Sequence, residues 1–160
     1  MKILITGGAG YLGSVIVGKM LISGHEVVVL DKLIFNQVSL LSYTSNPNFK
    51  FIHGDVRNLD LLERLCNDAD VIIPLAAIVG FPACASEPDL AEDVNFKQIC
   101  NIVRFIQGKN KKILYPNTNS GYGIGSVQVE YTEESPLSPI SIYGSTKCWA
   151  EDYLKLNTDA

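Results

Sequence analysis

The chain has 160 residues, 47% apolar and 19% charged, which fits one soluble globular domain with a core of its own. Its net charge of −4, with no basic stripe, argues against nucleic acid as a partner, and no run of about 18 apolar residues is present to span a membrane. The apolar run of MKILIT stops at Thr6 and meets glycines, too short for the h-region of a signal peptide, so a cytoplasmic location is expected.

Strands and helices are predicted to alternate. Lys2–Ile5 reads as a short buried strand. Leu12, Val15, Ile16, Met20 and Leu21 give a helical period over 12–23, ended by Gly24. The β-branched run 26–30 is a second strand and 49–53 a third. Asn58 is placed to cap a short helix carrying Leu59, Leu61, Leu62 and Leu65, and 71–75 is a fourth strand. Ser86-Glu-Pro-Asp89 has the form of a helix start, with Ser86 as cap, for a helix running to Gly108. A fifth strand is expected at 112–115, a Gly/Ser/Pro-rich loop over 121–140, and a last helix from 142 to about 156 behind the cap Ser141. Lys109, Lys111 and Lys112 follow Gly108 and read as a helix C-terminus. Parallel βαβ units follow, in a doubly wound α/β sheet of order 3-2-1-4-5, with ligands at the carboxyl ends of the strands beside strand 1. Cys66, Cys84, Cys100 and Cys148 form no C-x-x-C, so free thiols and no metal site are expected.

Between strand 1 and helix 1 lies Thr6-Gly7-Gly8-Ala9-Gly10-Tyr11-Leu12-Gly13. Glycines 7, 10 and 13 suit, in turn, a tight turn, a close backbone approach to a pyrophosphate and close helix–sheet packing. The helix start, with Tyr11 and Leu12, offers N–H groups to phosphates. Asp31 follows Gly13 by 18 residues, at the end of strand 2. A carboxylate there accepts bonds from ribose hydroxyls and repels a 2′-phosphate, which favours NAD over NADP. Lys32 beside it weighs the other way, and an exposed strand-end Asp without a ligand is the alternative.

The G-x-x-G-x-x-G spacing resembles the extended short-chain dehydrogenase/reductase family, and further motifs recur in the family's order along the whole chain. Gly54-Asp55-Val56 resembles the pair that receives the adenine, and Leu75-Ala76-Ala77 the segment over the cofactor. Asn95 matches a helix asparagine near the nicotinamide end. Asn117-Thr118-Asn119-Ser120-Gly121-Tyr122-Gly123 resembles the family's Ser/Thr segment, and Pro136 to Pro139 followed by Tyr143-Gly-Ser-Thr-Lys147 its Tyr-x-x-x-Lys. The resemblance implies an NAD-dependent nucleotide-sugar epimerase or dehydratase. In it Tyr143 takes a proton from a sugar hydroxyl, Lys147 holds the nicotinamide ribose and Thr118 bonds the reacting oxygen. Spaced four apart on a helix, Tyr143 and Lys147 share a face, and the ammonium and the cofactor's positive ring are expected to favour the phenolate. Tyr122, Trp149, Tyr153 and Leu154 read as packing residues.

Sugar 4,6-dehydratases of the family carry acids just after the catalytic Thr. Asn119 and Ser120 stand there instead, which disfavours dehydration and favours an epimerase type. Family members run about twice this length, so 1–160 is expected to be the NAD-binding Rossmann domain, truncated before a C-terminal substrate domain. Strand 5 would then be a sheet edge. The resemblance also implies a homodimer through helices 86–108 and 142–156. A non-catalytic dinucleotide-binding module, or a nucleotide-sugar dehydratase or reductase, are the competing readings.

Overall fold

The computed structural model describes residues 1–125, 130–132 and 134–158. The backbone falls into two compact units, Met1–Ala76 with Asn101–Pro116, and Ala77–Cys100 with Asn117–Ala160.

The first unit carries a parallel sheet of order β3-β2-β1-β4-β5, as expected for a doubly wound fold. The strands are β1 (Lys2–Thr6), β2 (Glu26–Asp31), β3 (Phe49–His53), β4 (Val71–Pro74) and β5 (Lys112–Ile113). Registers Leu4↔Val28, Leu4↔Ile72 and Val28↔Lys50 align the carboxyl ends of β1, β2 and β4. The central strands are apolar without alternation because both faces are covered. One face sends Ile3, Ile5, Val27, Val29, Val71 and Ile73 against Val17 and Leu21 of helix α1 (Tyr11–Ile22). By the pleat, Leu4, Leu30 and Ile72 point the other way, and all three are fully buried, as is Leu62 of α2 (Leu59–Asp68). Each such side chain stabilises the fold by roughly 1.5–3 kcal/mol.

Local signals set the element ends. The Asn58 side chain accepts from Leu61 N–H at 3.1 Å, as its capping role requires. Gly24, at φ +77°, turns the chain out of α1. Lysines take over the C-termini: Lys109 Nζ reaches Phe105 O at 2.7 Å and Asn67 Oδ1 at 2.5 Å, and Lys111 Nζ reaches Asn67 O at 2.8 Å and also Ala69 O. The cluster is helix-end chemistry rather than a patch. β4 ends one residue and β5 two residues earlier than the apolar runs suggest. β5 pairs with β4 and forms one edge of the sheet.

The second unit departs most from expectation. Ser86 does not cap a helix. It ends a separate short helix, α3 (Phe81–Ser86), its hydroxyl donating back to Ala83 O at 2.9 Å. The next helix starts at Pro88, where a proline N1 needs no N–H, and runs as α4 (Pro88–Glu92), a π-helical turn (Asp93–Lys97) and α5 (Gln98–Ile106). Helix α6 (Ile142–Asn157) begins behind Ser141, whose hydroxyl accepts from Gly144 N–H at 3.0 Å. The expected loop at 121–140 opens with a 3-10 turn, Asn119–Tyr122; residues 126–129 and 133 of it lie outside the described residues. Tyr122 packs on Tyr131 at 5.0 Å and donates to Thr132 O. Phe96 meets Trp149 and Tyr153 edge-on at 6.0 and 6.2 Å, a helix–helix contact in which Trp149 keeps about half its surface exposed.

Candidate functional site

In the first unit the glycine loop joins β1 to α1. Gly7 adopts φ +68°, and its N–H donates to Leu30 O at 2.8 Å. A Cβ on it would lie 2.5 Å from Ala76 N, and one on Gly13 2.6 Å from Gly8 Cα. These two glycines serve packing. Gly10 differs: at φ −71° a Cβ there would meet only Gly7 O, at 3.2 Å. It leaves open the space in front of α1, whose first N–H groups, at Tyr11, Leu12 and Gly13, have no carbonyl within the helix to bind. Tyr11 and Leu12 are exposed, and the first turn carries no acid to compete for an anion. A helix N-terminus without a side chain in the way fits a pyrophosphate.

Gly8 and Gly18 escaped the sequence reading. A Cβ on Gly8 would meet Val29 at 2.8 Å, and one on Gly18 would collide with the Tyr43 hydroxyl. Both are contacts with distant residues, which a local pattern does not carry.

Asp31 ends β2 almost fully buried. Its Oδ2 accepts from Ala9 N–H at 2.9 Å and its Oδ1 from Leu33 N–H at 2.8 Å. Ser39 donates to Ala9 O at 2.7 Å, so the loop is held from two sides. A carboxylate has about four acceptor positions, so Asp31 retains capacity for a diol. Lys32 turns to Asp55, with Nζ at 3.0 Å from Oδ2. Arg57 grips the same carboxylate through Nη2 at 2.7 Å and Nε at 3.1 Å, and its guanidinium holds the Asp55 carboxyl well below the usual range. Val56 is buried beside it. Leu75 and Ala76 leave β4 half-buried; Leu75 N–H donates to Thr6 O at 2.9 Å and Ala76 N–H to Thr6 Oγ1 at 3.3 Å.

The second unit carries Thr118, Tyr143 and Lys147, the last two one turn apart on α6. Thr118 heads the 3-10 turn, with Oγ1 accepting from Ser120 N–H at 3.2 Å and donating to Ser120 Oγ at 3.3 Å. Its N–H is fixed by Asn117 Oδ1 at 2.8 Å, and Asn117 in turn donates to Glu151 of α6. The half-buried Tyr143 phenol lies near the Thr118 side chain. Burial pushes that phenol up, and Thr118 pulls it back in part. In the chain by itself the phenol is thus raised, contrary to the expected lowering, because burial outweighs the other influences on it. Cys84 neighbours the phenol, its thiol donating to Ile78 O at 3.2 Å. Ala77, the first residue of this unit, is half-buried. Asn95 is buried, with its amide turned to Ile78 and Thr146. Cys66, Cys84 and Cys148 are buried free thiols, and burial drives Cys66 up to about 12.

Lys147 is buried too, and burial pushes its ammonium from the ordinary 10.5 down to about 8. Such a shift carries an order-of-magnitude penalty of about 3 kcal/mol. Below pH 8 the group is charged in folded and unfolded chains alike, and the penalty is full. It shrinks as pH rises from 8 and is gone above 10.5, where both states are neutral. Lys147→Met is therefore expected to melt higher than the unsubstituted chain at pH 7, by up to about 3 kcal/mol, with the gap closing above pH 10. Thermal melts across pH check this, and a lower melting point for the variant at pH 7 would contradict it.

The profile of the NAD dependent epimerase/dehydratase family matches residues 3–159. A putative UDP-glucose 4-epimerase of Methanocaldococcus jannaschii is 30% identical over 156 residues, covering 96% of this chain and 50% of that protein. A UDP-glucose 4-epimerase of Halalkalibacterium halodurans is 33% identical, with 92% of this chain and 43% of that one covered. Among solved structures, a UDP-glucuronic acid 4-epimerase from Bacillus cereus in complex with NAD superposes with TM-score 0.87 at 30% identity, over 98% of this chain and 52% of that one. A dTDP-glucose 4,6-dehydratase from Bacillus anthracis in complex with NAD gives 0.84, also at 30%, over 98% and 51%. The chain thus spans about half the length of these relatives. Matched along nearly its whole length, it belongs to the NAD dependent epimerase/dehydratase family.

Proposed function

We propose that residues 1–160 are the NAD-binding part of an enzyme that epimerises a nucleotide sugar. The open approach at Gly10 in front of the α1 N-terminus is the observation that carries the cofactor reading. Gly7 and Gly13 shape the loop, Tyr11 and Leu12 contribute N–H groups to the pyrophosphate, and Asp31 takes the ribose diol. Asp55 and Val56 border the adenine, and Leu75, Ala76 and Ala77 flank the cofactor. Asn95 belongs to the nicotinamide end through its neighbours. NAD is preferred over NADP because the Lys32 ammonium is taken up by Asp55, which leaves Asp31 to set the local charge.

When bound, NAD would supply a reversible hydride acceptor, and epimerisation requires the hydride to return to the opposite face of the oxidised sugar carbon. Tyr143 takes the hydroxyl proton of the sugar, Thr118 bonds the same oxygen, and Lys147 holds the nicotinamide ribose. Asn119 and Ser120 supply no acid for a leaving hydroxyl, which supports epimerisation over dehydration. The full enzyme is proposed to be cytoplasmic, to serve carbohydrate metabolism and to form a homodimer through the helical run from Pro88 to Ile106 and helix α6. Light scattering on the chain at micromolar concentration tests the dimer, and a monomer there contradicts it.

Turnover of UDP-, GDP- and dTDP-sugars in the presence of NAD, by the chain together with a C-terminal half from a relative, tests the function. Binding of NAD without turnover of any of them would favour a dinucleotide-binding module. Asp31→Ala is expected to weaken NAD by about 10- to 100-fold and NADP by much less, since it removes charge-assisted hydrogen bonds and a repulsion together. Equal losses in parallel calorimetric titrations would remove the basis for the NAD preference.

A further inference from the structure

Cations gather toward the amino-terminal end of the strands in the first unit, away from the glycine loop. Lys50 and Ile52, two residues apart on one face of β3, line a surface cavity of about 490 Å³ together with Arg64, Leu65, Asn67 and Asp68 of α2. Leu65 is buried and Ile52 half-buried, so part of the lining is apolar. Lys50 and Arg64 are exposed, and neither makes an ion pair among the described residues. Asp68, the one acid of the lining, is already committed: its Oδ2 lies 2.7 Å from Lys2 Nζ. The Lys2 hydrogen bond, with Lys50 and Lys111 nearby, holds that carboxyl below the usual carboxylate range. The last carbonyls of α2 would repel an anion, but lysines cover them. Lys111 Nζ reaches Asn67 O at 2.8 Å, and Lys109 Nζ reaches the Asn67 side chain at 2.5 Å. Lys2, Lys50, Arg64, Lys109 and Lys111, five of the chain's 13 lysines and arginines, thus stand in or beside one cavity, while the chain as a whole carries −4. A concave site of sign opposite to the rest of the surface concentrates anions.

We propose that this cavity is a second ligand site, separate from the glycine loop, for a small organic phosphate: the phosphate lies between Lys50 and Arg64, and its apolar body covers Ile52 and Leu65. A phosphate monoester carries close to two negative charges near pH 7, which matches two unpaired cations better than a carboxylate does. The planar fork of Arg64 suits two phosphate oxygens, and Lys50 adds a point charge. The volume falls in the ordinary range of small-molecule sites. Inorganic phosphate would leave the apolar lining in water, so a phosphate with an aromatic or aliphatic body binds more tightly. None of these residues belongs to the cofactor loop, so this site and the dinucleotide reading stand or fall separately.

The test titrates phenyl phosphate into the full chain and follows backbone amide shifts by NMR, with inorganic phosphate and benzoate as comparison probes. Saturable shifts are expected at the Ile52 and Leu65 amides. Inorganic phosphate, without the ring, and benzoate, with a single charge, are each expected to bind there about tenfold more weakly. Lys50→Gln and Arg64→Gln change exposed side chains that hold no partner, so both variants are expected to melt with the unsubstituted chain. Each removes one charge-assisted contact and is expected to weaken phenyl phosphate at Ile52 and Leu65 by about tenfold. Raising the salt concentration is expected to weaken binding further, as two exposed cations require. Shifts confined to the glycine loop, or no saturation at Ile52 and Leu65, overturn the proposal. Undiminished affinity in both glutamine variants overturns it too, and so does equal binding of the three probes.

Discussion

Gly10→Ala is expected to fold normally and to lose about a hundredfold or more in NAD affinity. The added methyl meets only Gly7 O, at 3.2 Å, and the backbone at φ −71° accepts alanine, so the melting temperature should move little. The same methyl stands in the space before the α1 N-terminus, where a pyrophosphate must come within hydrogen-bond distance of the backbone. A hundredfold loss corresponds to about 2.8 kcal/mol, in the range of a few charge-assisted bonds. Gly7→Ala gives the contrasting result. Its methyl lies 2.5 Å from Ala76 N, at a backbone angle of +68° that alanine rarely adopts, so strain alone is expected to destabilise the fold by roughly 1–3 kcal/mol and the clash adds to it. Calorimetry and thermal melts on the two variants separate the ligand-facing glycine from the structural one. A folded Gly10→Ala chain with undiminished NAD affinity would contradict the assignment.

Tyr143→Phe is the second large effect. It is expected to reduce sugar turnover by the completed enzyme by about 10³-fold, within the range that a positioned general base supplies, and to leave NAD affinity within about threefold. Burial raises the phenol in the chain by itself, and Thr118 opposes that rise in part. Bringing a phenol from about 10 to about 7 takes roughly 4 kcal/mol of differential stabilisation, to which the positive nicotinamide and the Lys147 ammonium would both contribute. The pH at which tyrosinate absorbance appears should therefore fall when NAD is added, and Tyr143→Phe should remove that change. Normal turnover in the variant would remove Tyr143 from the role of base.

Much of the fold was legible because the signals are local. The strand at 49–53 falls as read, the Asn58 and Ser141 caps engage their helices, and the strand order follows from alternating βαβ units. The helix expected from Ser86 to Gly108 was read as one because its apolar period hides two interruptions. Gly80, at φ +88°, precedes an extra helix, and a π-helical turn at Asp93–Lys97 holds Asn95, whose partners lie 17 and 51 residues away. The candidate site residues Gly7, Gly10, Gly13, Asp31, Tyr143 and Lys147 are proposed where motif and spacing coincide. What the pattern did not carry was environment: that Asn95 is turned inward, that Lys32 is spent on Asp55, and that Lys147 is buried enough to weaken its ammonium. Each of these depends on residues distant in sequence.

The central claim is that the glycine loop, the α1 N-terminus and Asp31 hold a dinucleotide. Isothermal titration of the folded chain with NAD tests it most directly. The account predicts saturable binding of one NAD per chain, tighter than NADP and lost in Gly10→Ala. Absence of binding heat across several temperatures, with the chain shown to be folded by its melting transition, would contradict it.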